Sequence, residues 1–332
     1  MQSRFLGRTG VRVSSLALGT MGFGTDADES TAAAIFARAR AAGIDLFDCA
    51  DVYGQGRAEE ILGRLVRAAG CRDEVVLTSK AYFPTGADGN ARGTSRYHLV
   101  RAVEASLRRL GTDRIDVYFL HRFDDVTPLE DTLRTVELLV QQGKILYPAV
   151  SNFAAWQTAR ALGIAERHGW TPIACMQPMY NLVKRQAEVE ILPLAQAEGL
   201  GVLSYSPLGG GLLSGKYTRA DRPASGRLVD VAMYRTRYGD AGHYDVAERF
   251  AALARQRGVS PVALAIAWVA SHPAVTAPIL GARDVAQLEA GLAAADVEMD
   301  AELRAQIAAL SPAPPPATDR NEEASPTNYG AR

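Results

Sequence analysis

The stretch TAAAIFARARAAGIDLFDCADVYGQGRAEEILGRLVRAAGCRDEVVLTSK, residues 31–80, contains two successive copies of one pattern: a helical segment, a glycine and a strand. Residues 31–42 and 58–68 are rich in alanine, leucine and arginine, with the spacing of an amphipathic helix. Each segment is followed by a glycine, the usual helix stop, and then by a short apolar run at 44–48 or 75–79. The stretch therefore predicts two consecutive helix–strand units.

The same alternation continues over most of the chain and yields eight candidate strands. They are predicted at residues 15–19, 44–48, 75–79, 115–121, 145–150, 173–177, 201–205 and 275–280. Repeated right-handed βαβ units in this number favour an α/β fold of the closed (β/α)8 TIM barrel type, with an open doubly wound sheet as the alternative. Two runs before them, 4–6 and 11–13, predict an N-terminal hairpin that plugs one end of the barrel.

The length and the end of the chain predict one folded domain with a tail. A chain of 332 residues suits one α/β barrel with long loops, so we expect the barrel to span residues 1–311. Residues 312–332 are rich in proline, alanine and asparagine without hydrophobic periodicity, which predicts a flexible C-terminal tail. The connections at 81–96 and 206–240 are long for this fold, and long loops usually carry function.

Charge and cysteine content restrict the expected partners. The 36 Lys and Arg residues nearly balance 37 Asp and Glu residues, so neither nucleic acid nor a membrane is an expected partner. Residues 1–10 contain no apolar signal segment and the 3 cysteines form no CxxC pair, which predicts a soluble, cytoplasmic protein. The histidines lack the spacing of metal ligands, so no metal is expected. The oligomeric state stays open.

Polar side chains follow three neighbouring predicted strands. Asp48 and Tyr53 follow the second strand, Lys80 the third and His121 the fourth. Each of these residue types is more often structural when it stands alone, but strand ends of a barrel meet at one rim, where the four would converge. A phenol with a pKa of about 10 is a poor acid, and we expect Lys80 to lower that pKa by stabilising the phenolate. Asp48 would keep Lys80 protonated, and His121 would orient a carbonyl group.

Motifs around these residues resemble those of the aldo-keto reductase superfamily over residues 1 to about 311. They are DCADVYG (48–54), GRAEEILG (56–63), LRRLGTDRID (107–116), VSNF (150–153) and SYSPLGGGLLSGKY (204–217), with Lys80, His121 and Gln177. The resemblance implies reversible, NADPH-dependent reduction of an aldehyde or ketone, with hydride from nicotinamide C4. It makes Tyr53 the general acid, with Lys80 and Asp48 tuning it and His121 positioning the substrate.

The resemblance also implies a set of cofactor-binding residues. It assigns nicotinamide contacts to Ser151, Asn152 and Gln177, with Tyr205 stacked on the ring. The pyrophosphate would lie along Ser206, Leu208, Gly210 and Lys216, and the adenosine phosphate near Gly281, Arg283 and Gln287. A guanidinium forks onto phosphate oxygens, so Arg283 favours NADPH over NADH.

Three positions depart from the pattern of the superfamily. Ala290 and Gly291 replace an acidic residue and an asparagine near the adenine, which predicts fewer contacts to the base. Pro148 lies in the fifth predicted strand although proline cannot donate to a strand ladder.

The substrate and some rival functions stay open. Phe23, Tyr82, Phe83 and Phe123 follow strand ends and are candidates to line the pocket. An aldehyde, a keto-sugar, or a cyclic or terpenoid ketone would each suit the chemistry. The alternative function is a cofactor-binding regulatory or interaction subunit of the same fold with slow turnover.

Two further motifs are weaker matches. Tyr180 and Lys184 have the spacing of the short-chain dehydrogenase pair, but the glycine-rich turn of that family is missing. Residues 210–216 approach a phosphate-binding P-loop, but Tyr217 replaces the required Ser or Thr.

Overall fold

Eight parallel strands close into a barrel, preceded by an antiparallel hairpin, in the computed structural model, which describes residues 1–219 and 222–317. The strands are β1 (Ser3–Phe5), β2 (Arg12–Ser14), β3 (Ala17–Gly19), β4 (Leu46–Asp48), β5 (Val76–Ala81), β6 (Ile115–Leu120), β7 (Ile145–Ser151), β8 (Cys175–Gln177), β9 (Gly201–Ser204) and β10 (Ala277–Gly281). Strands β3 to β10 pair in chain order, and β10 closes onto β3. The predicted (β/α)8 barrel is confirmed, and the doubly wound alternative is wrong.

Helices surround the barrel and bury their apolar faces against it. They are α1 (Glu29–Ala41), α2 (Arg57–Ala68), α3 (Arg96–Leu110), α4 (Leu129–Gln141), α5 (Ala155–His168), α6 (Ile191–Glu198), α7 (Arg227–Asp230), α8 (Ala232–Tyr238), α9 (Ala241–Gln256), α10 (Pro261–Ala270), α11 (Val285–Leu292) and α12 (Ala301–Ala308). In α2, for example, Ile61, Leu62 and Val66 are buried while Glu60 and Arg64 face outward. This spacing is the one that predicted the helix.

The N-terminal hairpin closes the amino end of the barrel, as predicted. Leu6 and Val13 are fully buried and belong, with Phe119 of β6, to one cluster of apolar core side chains. Gly7 fixes the placement, because a Cβ there would lie 2.5 Å from the backbone nitrogen of Gly201, where β9 begins. The carboxyl ends of the strands are therefore left free to form a site at the opposite rim.

The long connections differ from each other. Residues 82–95 form no helix or strand, whereas the 206–240 connection contains a 3₁₀ turn at Gly209–Ser214 followed by α7 and α8. Residues 312–317 form no regular element, and the rest of the predicted tail lies outside the described residues. The domain boundary at residue 311 stays a prediction.

Pro148 lies inside β7, flanked by β6 and β8, where the backbone N–H of Ala174 donates to its carbonyl at 2.8 Å. Proline is therefore accepted in a central strand of this barrel.

No helix within the described ranges is long and apolar enough to cross a bilayer.

Candidate active site

The register of the parallel strands brings the four predicted catalytic side chains to one rim. Asp48 ends β4 and pairs with Thr78 of β5, and Lys80 lies two residues further along β5. His121 follows β6 directly, and its backbone N–H donates to Ala81 at 3.0 Å. Residues i and i+2 of a strand face the same side, so Thr78 and Lys80 both point toward Asp48.

Lys80 and Asp48 form a buried ion pair at the centre of this rim. Lys80 is 0 % and Asp48 3 % exposed, and Nζ lies 2.7 Å from both carboxylate oxygens. Nζ also donates to the carbonyl of Cys49 at 2.7 Å. A buried pair is stable only when its remaining hydrogen-bonding groups are satisfied. Here Thr78 Oγ1 and Gln177 Nε2 each donate to Asp48 Oδ1 at 2.8 Å.

Tyr53 lies over this pair, at the start of a 3₁₀ turn that leads into α2. Its hydroxyl is 3.5 Å from Lys80 Nζ, and Nζ lies 5.1 Å from the ring centroid. Burial and then the Asp48 carboxylate raise the pKa of Tyr53 well above its usual value. The expected net lowering is therefore wrong for this structure, because burial of the phenol is the largest influence on its pKa and acts in the opposite direction.

His121 lies edge-on beside Tyr53, with ring centroids 6.0 Å apart. Burial, followed by the charge of Lys80, lowers the pKa of His121 well below its usual range. The imidazole is therefore neutral near pH 7 and carries one N–H. Nδ1 is buried and has no hydrogen-bond partner in the described part of the chain.

Four residues predicted to contact nicotinamide form a hydrogen-bonded chain along the same rim. Tyr205 OH donates to Asn152 Oδ1 at 2.8 Å, and Asn152 Nδ2 donates to the carbonyl of His121 at 2.9 Å. Ser151 Oγ donates to the carbonyl of Gln177 at 2.9 Å, and the amide of Gln177 reaches Asp48. Asn152 has a left-handed backbone, φ 56°, which holds its side chain in this chain of contacts.

The residues predicted along the pyrophosphate lie in the turn after β9. Ser206 has φ 57°, and the amide of Asn181 donates to its carbonyl at 2.9 Å. Leu208 precedes the Gly209–Ser214 turn, in which Gly210 has φ 68°. A Cβ on Gly210 would lie 2.7 Å from the ring of Tyr234, so this turn requires glycine for conformation and for space.

Basic residues from three separate segments influence one another electrostatically near this turn. Burial and the nearby charges of Arg283 and Arg227 lower the pKa of Lys216. Positive charges that act on Lys216 in this way favour binding of an anion, which fits the phosphates of a dinucleotide. Arg227 was not among the predicted residues, since nothing in the sequence of α7 marks it.

At the predicted adenosine end of the site, two of the predicted residues hydrogen-bond to each other. Gly281 ends β10, and the backbone N–H of Arg283 donates to Gln287 Oε1 at 3.2 Å. Gly291 faces inward, because its Cβ would contact Leu280 and Ile266 at 3.4 and 3.6 Å. Position 291 therefore belongs to the core, and the glycine there is explained by packing and not by the number of contacts to the adenine base.

The candidate substrate-lining residues do not share one environment. Phe83 contacts His121, with centroids 4.9 Å apart, and Tyr82 packs on Phe83 at 5.3 Å. Phe123 lies between Phe153 and Trp156, at 5.3 and 5.9 Å. Phe23 is 1 % exposed and belongs to the larger of two apolar core clusters, which does not include Leu6 or Val13. Trp156 is 59 % exposed beside Phe123 and was missed because it lies in the first turn of α5.

A second polar layer lies behind the rim, on the outer side of β5. Its buried residues are Asp51, Glu59, Ser79 and Tyr118. Glu59 of α2 accepts from Ser79 Oγ at 2.5 Å and from Arg109 Nε at 2.6 Å. By contrast, neither oxygen of Asp51 nor the hydroxyl of Tyr118 has a hydrogen-bond partner among residues 1–219 and 222–317. The sequence argument missed this layer and also Thr78, whose two-residue spacing from Lys80 was the available signal.

Comparisons with known proteins match nearly the whole chain. A family model described as Aldo/keto reductase family matches residues 15–312. The chain is 39 % identical to an uncharacterised oxidoreductase of Bacillus subtilis, over 95 % of this chain and 97 % of that protein. It is 38 % identical to a probable voltage-gated potassium channel subunit beta of Oryza sativa, covering 90 % and 92 %. A versiconal hemiacetal acetate reductase of Aspergillus parasiticus is 31 % identical, covering 91 % and 94 %. The resemblance stated from the motifs is confirmed.

Proposed function

The chain belongs to the aldo/keto reductase family, and on that premise we propose that it reduces an aldehyde or ketone with NADPH, using Tyr53 as the general acid. Membership and the reductase relatives support an oxidoreductase acting on carbonyl groups. The observation that carries the finer proposal is the convergence of Tyr53, Lys80 and His121 around one point on the rim.

Tyr53 holds the proton that the reaction needs. Its raised pKa keeps the phenol protonated at neutral pH but also makes it a weak acid, so proton transfer depends on stabilising the phenolate that forms. When that proton moves to the carbonyl oxygen, the new phenolate lies 3.5 Å from Lys80 Nζ, which stabilises its charge. NADPH, when bound, supplies the hydride that reduces the carbonyl carbon. Alcohol oxidation is the same path in reverse.

His121 and Asp48 hold the other groups in place. Neutral His121 donates one hydrogen bond to the carbonyl oxygen without competing as an acid, since its pKa is well below the working pH. Asp48 holds the Lys80 side chain beside the Tyr53 hydroxyl through two contacts of 2.7 Å. The aromatic side chain of Phe83, 4.9 Å from His121, supports a substrate with an apolar or ring-shaped body.

Steady-state NADPH consumption with a reactive aldehyde tests this proposal. Tyr53→Phe removes only the acidic hydroxyl, and we expect kcat to fall by about 10²- to 10⁴-fold while NADPH still binds. Tyr97→Phe, on the exposed face of α3, is the matched control and should keep full activity. A Tyr53→Phe protein with most of its turnover would exclude Tyr53 as the acid.

NADPH is proposed as the cofactor because the charges of Arg227 and Arg283 act on Lys216, which lies just after the Gly209–Ser214 turn. A charge-assisted contact to the 2′-phosphate is worth about 1.5–3 kcal/mol. Wild-type protein should therefore bind NADPH at least about tenfold more tightly than NADH. Arg283→Ala should weaken NADPH alone, whereas Arg12→Ala, at the opposite end of the barrel, should change neither affinity. Equal losses for both cofactors would contradict the role of Arg283.

The same NADPH assay decides between catalysis and the alternative function. Relatives of this chain carry both reductase and channel-subunit names, so similarity alone does not choose between them. Turnover that depends on Tyr53 supports the enzyme. Tight NADPH binding with negligible turnover on a broad carbonyl panel, covering aldehydes, keto-sugars and cyclic ketones, would support a regulatory or interaction subunit.

A further inference from the structure

Two motifs in the sequence, GRAEEILG at 56–63 and LRRLGTDRID at 107–116, take no direct part in the proposed chemistry. The structure brings them together where α2 crosses α3. Gly63 allows this approach, because a Cβ there would lie 2.2 Å from the carbonyl oxygen of Leu110. The contact places Glu59 and Arg109 side by side behind the catalytic rim.

The ion pair between Glu59 and Arg109 is built into the interior. The Glu59 side chain is 0 % and that of Arg109 25 % exposed, and Nε donates to Oε2 at 2.6 Å. The other oxygen of Glu59 accepts from Ser79 Oγ at 2.5 Å. Both carboxylate oxygens therefore have partners, which is what retaining a buried charge requires.

This ion pair reaches the two halves of the proposed proton-donating site. Ser79 stands between Thr78 and Lys80 in β5, and its outward side chain is held by Glu59 while its neighbours bind Asp48. On the other side, Arg109 packs against Gly56, the last residue of the turn that begins at Tyr53. A Cβ on Gly56 would lie 2.7 Å from Arg109 Cδ. The segment bearing Tyr53 and the strand bearing Lys80 thus rest on one pair of side chains.

We propose that Glu59 and Arg109 are positioning residues that set the separation between Tyr53 and Lys80, with Ser79 as the link to β5. This inference rests on the proposed function. The separation matters because Lys80 Nζ and the Tyr53 hydroxyl are 3.5 Å apart, the upper limit of a hydrogen bond. A small shift of β5 away from Tyr53 would remove the contact that stabilises the phenolate.

Ser79→Ala tests the link with little disturbance, because it deletes one hydroxyl and leaves the ion pair intact. We expect kcat to fall about tenfold, less than the roughly hundredfold cost of a 1 Å misplacement, with NADPH affinity within about twofold of wild type. Ser79→Thr keeps a hydroxyl and suits a strand, so it should restore most of the loss. Because the effect is on the acid, the pH profile of kcat should also shift in Ser79→Ala.

Ser106→Ala is the matched control. Ser106 is also 0 % exposed and accepts from Arg109 at 3.4 Å, but it lies on α3 and not on β5. Its variant should keep the wild-type kcat and pH profile at a similar melting temperature. Equal kcat losses in both serine variants, or a Ser79→Ala enzyme with unchanged kcat and pH profile, would overturn the proposal.

Glu59→Gln examines the charge itself, since the amide oxygen still accepts from Ser79 while the ion pair to Arg109 is lost. We expect a kcat between that of the Ser106→Ala control and that of Ser79→Ala. A folded Glu59→Gln protein with wild-type kcat and pH profile would count against the proposal. The wild-type and Tyr53→Phe assays report on the proposed function independently. If wild type turns over and Tyr53→Phe does not, a null result at Ser79 overturns only the positioning role.

Discussion

Asp48 and Asp51 stand three residues apart, are 3 % and 2 % exposed, and have opposite surroundings. The Asp48 carboxylate accepts four hydrogen bonds, from Lys80 twice, Thr78 and Gln177. The Asp51 carboxylate accepts none within the described ranges, although the nearby backbone N–H of Val52 acts to lower its pKa. One carboxylate is fully hydrogen-bonded and the other is not.

The difference comes from the side of the barrel wall that each residue faces. Asp48 points to the rim, where side chains from β5 and β8 supply an ammonium, a hydroxyl and an amide. Asp51 belongs to the second polar layer, where Glu59 repels it, so burial and then this repulsion raise its pKa to about 7. At nearly equal burial, the Asp48 carboxylate has a full set of hydrogen-bond partners, whereas the pKa of Asp51 is raised.

Removing Asp48 should have the largest effect. Asp48→Asn leaves Lys80 as a buried ammonium without its counter-charge, which typically costs about 3–5 kcal/mol, and we expect the upper end because four hydrogen bonds end at this carboxylate. Denaturant unfolding at pH 7 measures the loss, and carbonyl reduction should fall with it. Gln177→Glu in the same background returns a carboxylate near Lys80 and should recover part of the stability. An Asp48→Asn protein as stable as wild type would show that the ion pair contributes nothing.

The sequence alone was sufficient to predict the fold and the residues at the rim, but it did not predict the second polar layer. Helix period and strand-end polarity located Asp48, Lys80 and His121, because parallel strands must end at the same rim. The partners of Glu59 depend on how closely α2 crosses α3, and that distance is set by packing at Gly63. The direction of the Tyr53 pKa shift depends on burial and then on the nearby Asp48 carboxylate, and neither influence can be read from the order of residues in the sequence.

Asp51→Asn should change stability in the opposite sense. Because the folded pKa of Asp51, about 7, lies above the usual value near 4, its contribution to stability is complete below pH 4 and is lost as pH rises to 7. At about 1.4 kcal/mol for each pH unit, the loss amounts to at most about 4 kcal/mol. The asparagine variant carries no charge there, so its stability relative to wild type should increase over that range.

Unfolding free energies at pH 5 and pH 8 measure this difference. The control is Asp113→Asn, whose side chain is 87 % exposed and which should follow wild type at both pH values. A wild-type protein whose pH dependence matches that of Asp51→Asn would mean that Asp51 is already ionised and compensated at pH 5.

The smallest expected effects come from single hydroxyl groups, one in each layer. Thr78→Val keeps the shape of a fully buried side chain but removes one of the four hydrogen bonds to Asp48. A hydrogen bond to a charged group contributes about 1.5–3 kcal/mol, and we expect the lower value because Lys80 and Gln177 remain. Tyr118→Phe removes a buried hydroxyl that has no partner among the described residues, so it should cost nothing or stabilise slightly. Thermal unfolding of the two variants at pH 7 measures the contrast. If Tyr118→Phe is as destabilising as Thr78→Val, the second layer is hydrogen-bonded as fully as the rim, and the distinction between Asp48 and Asp51 fails.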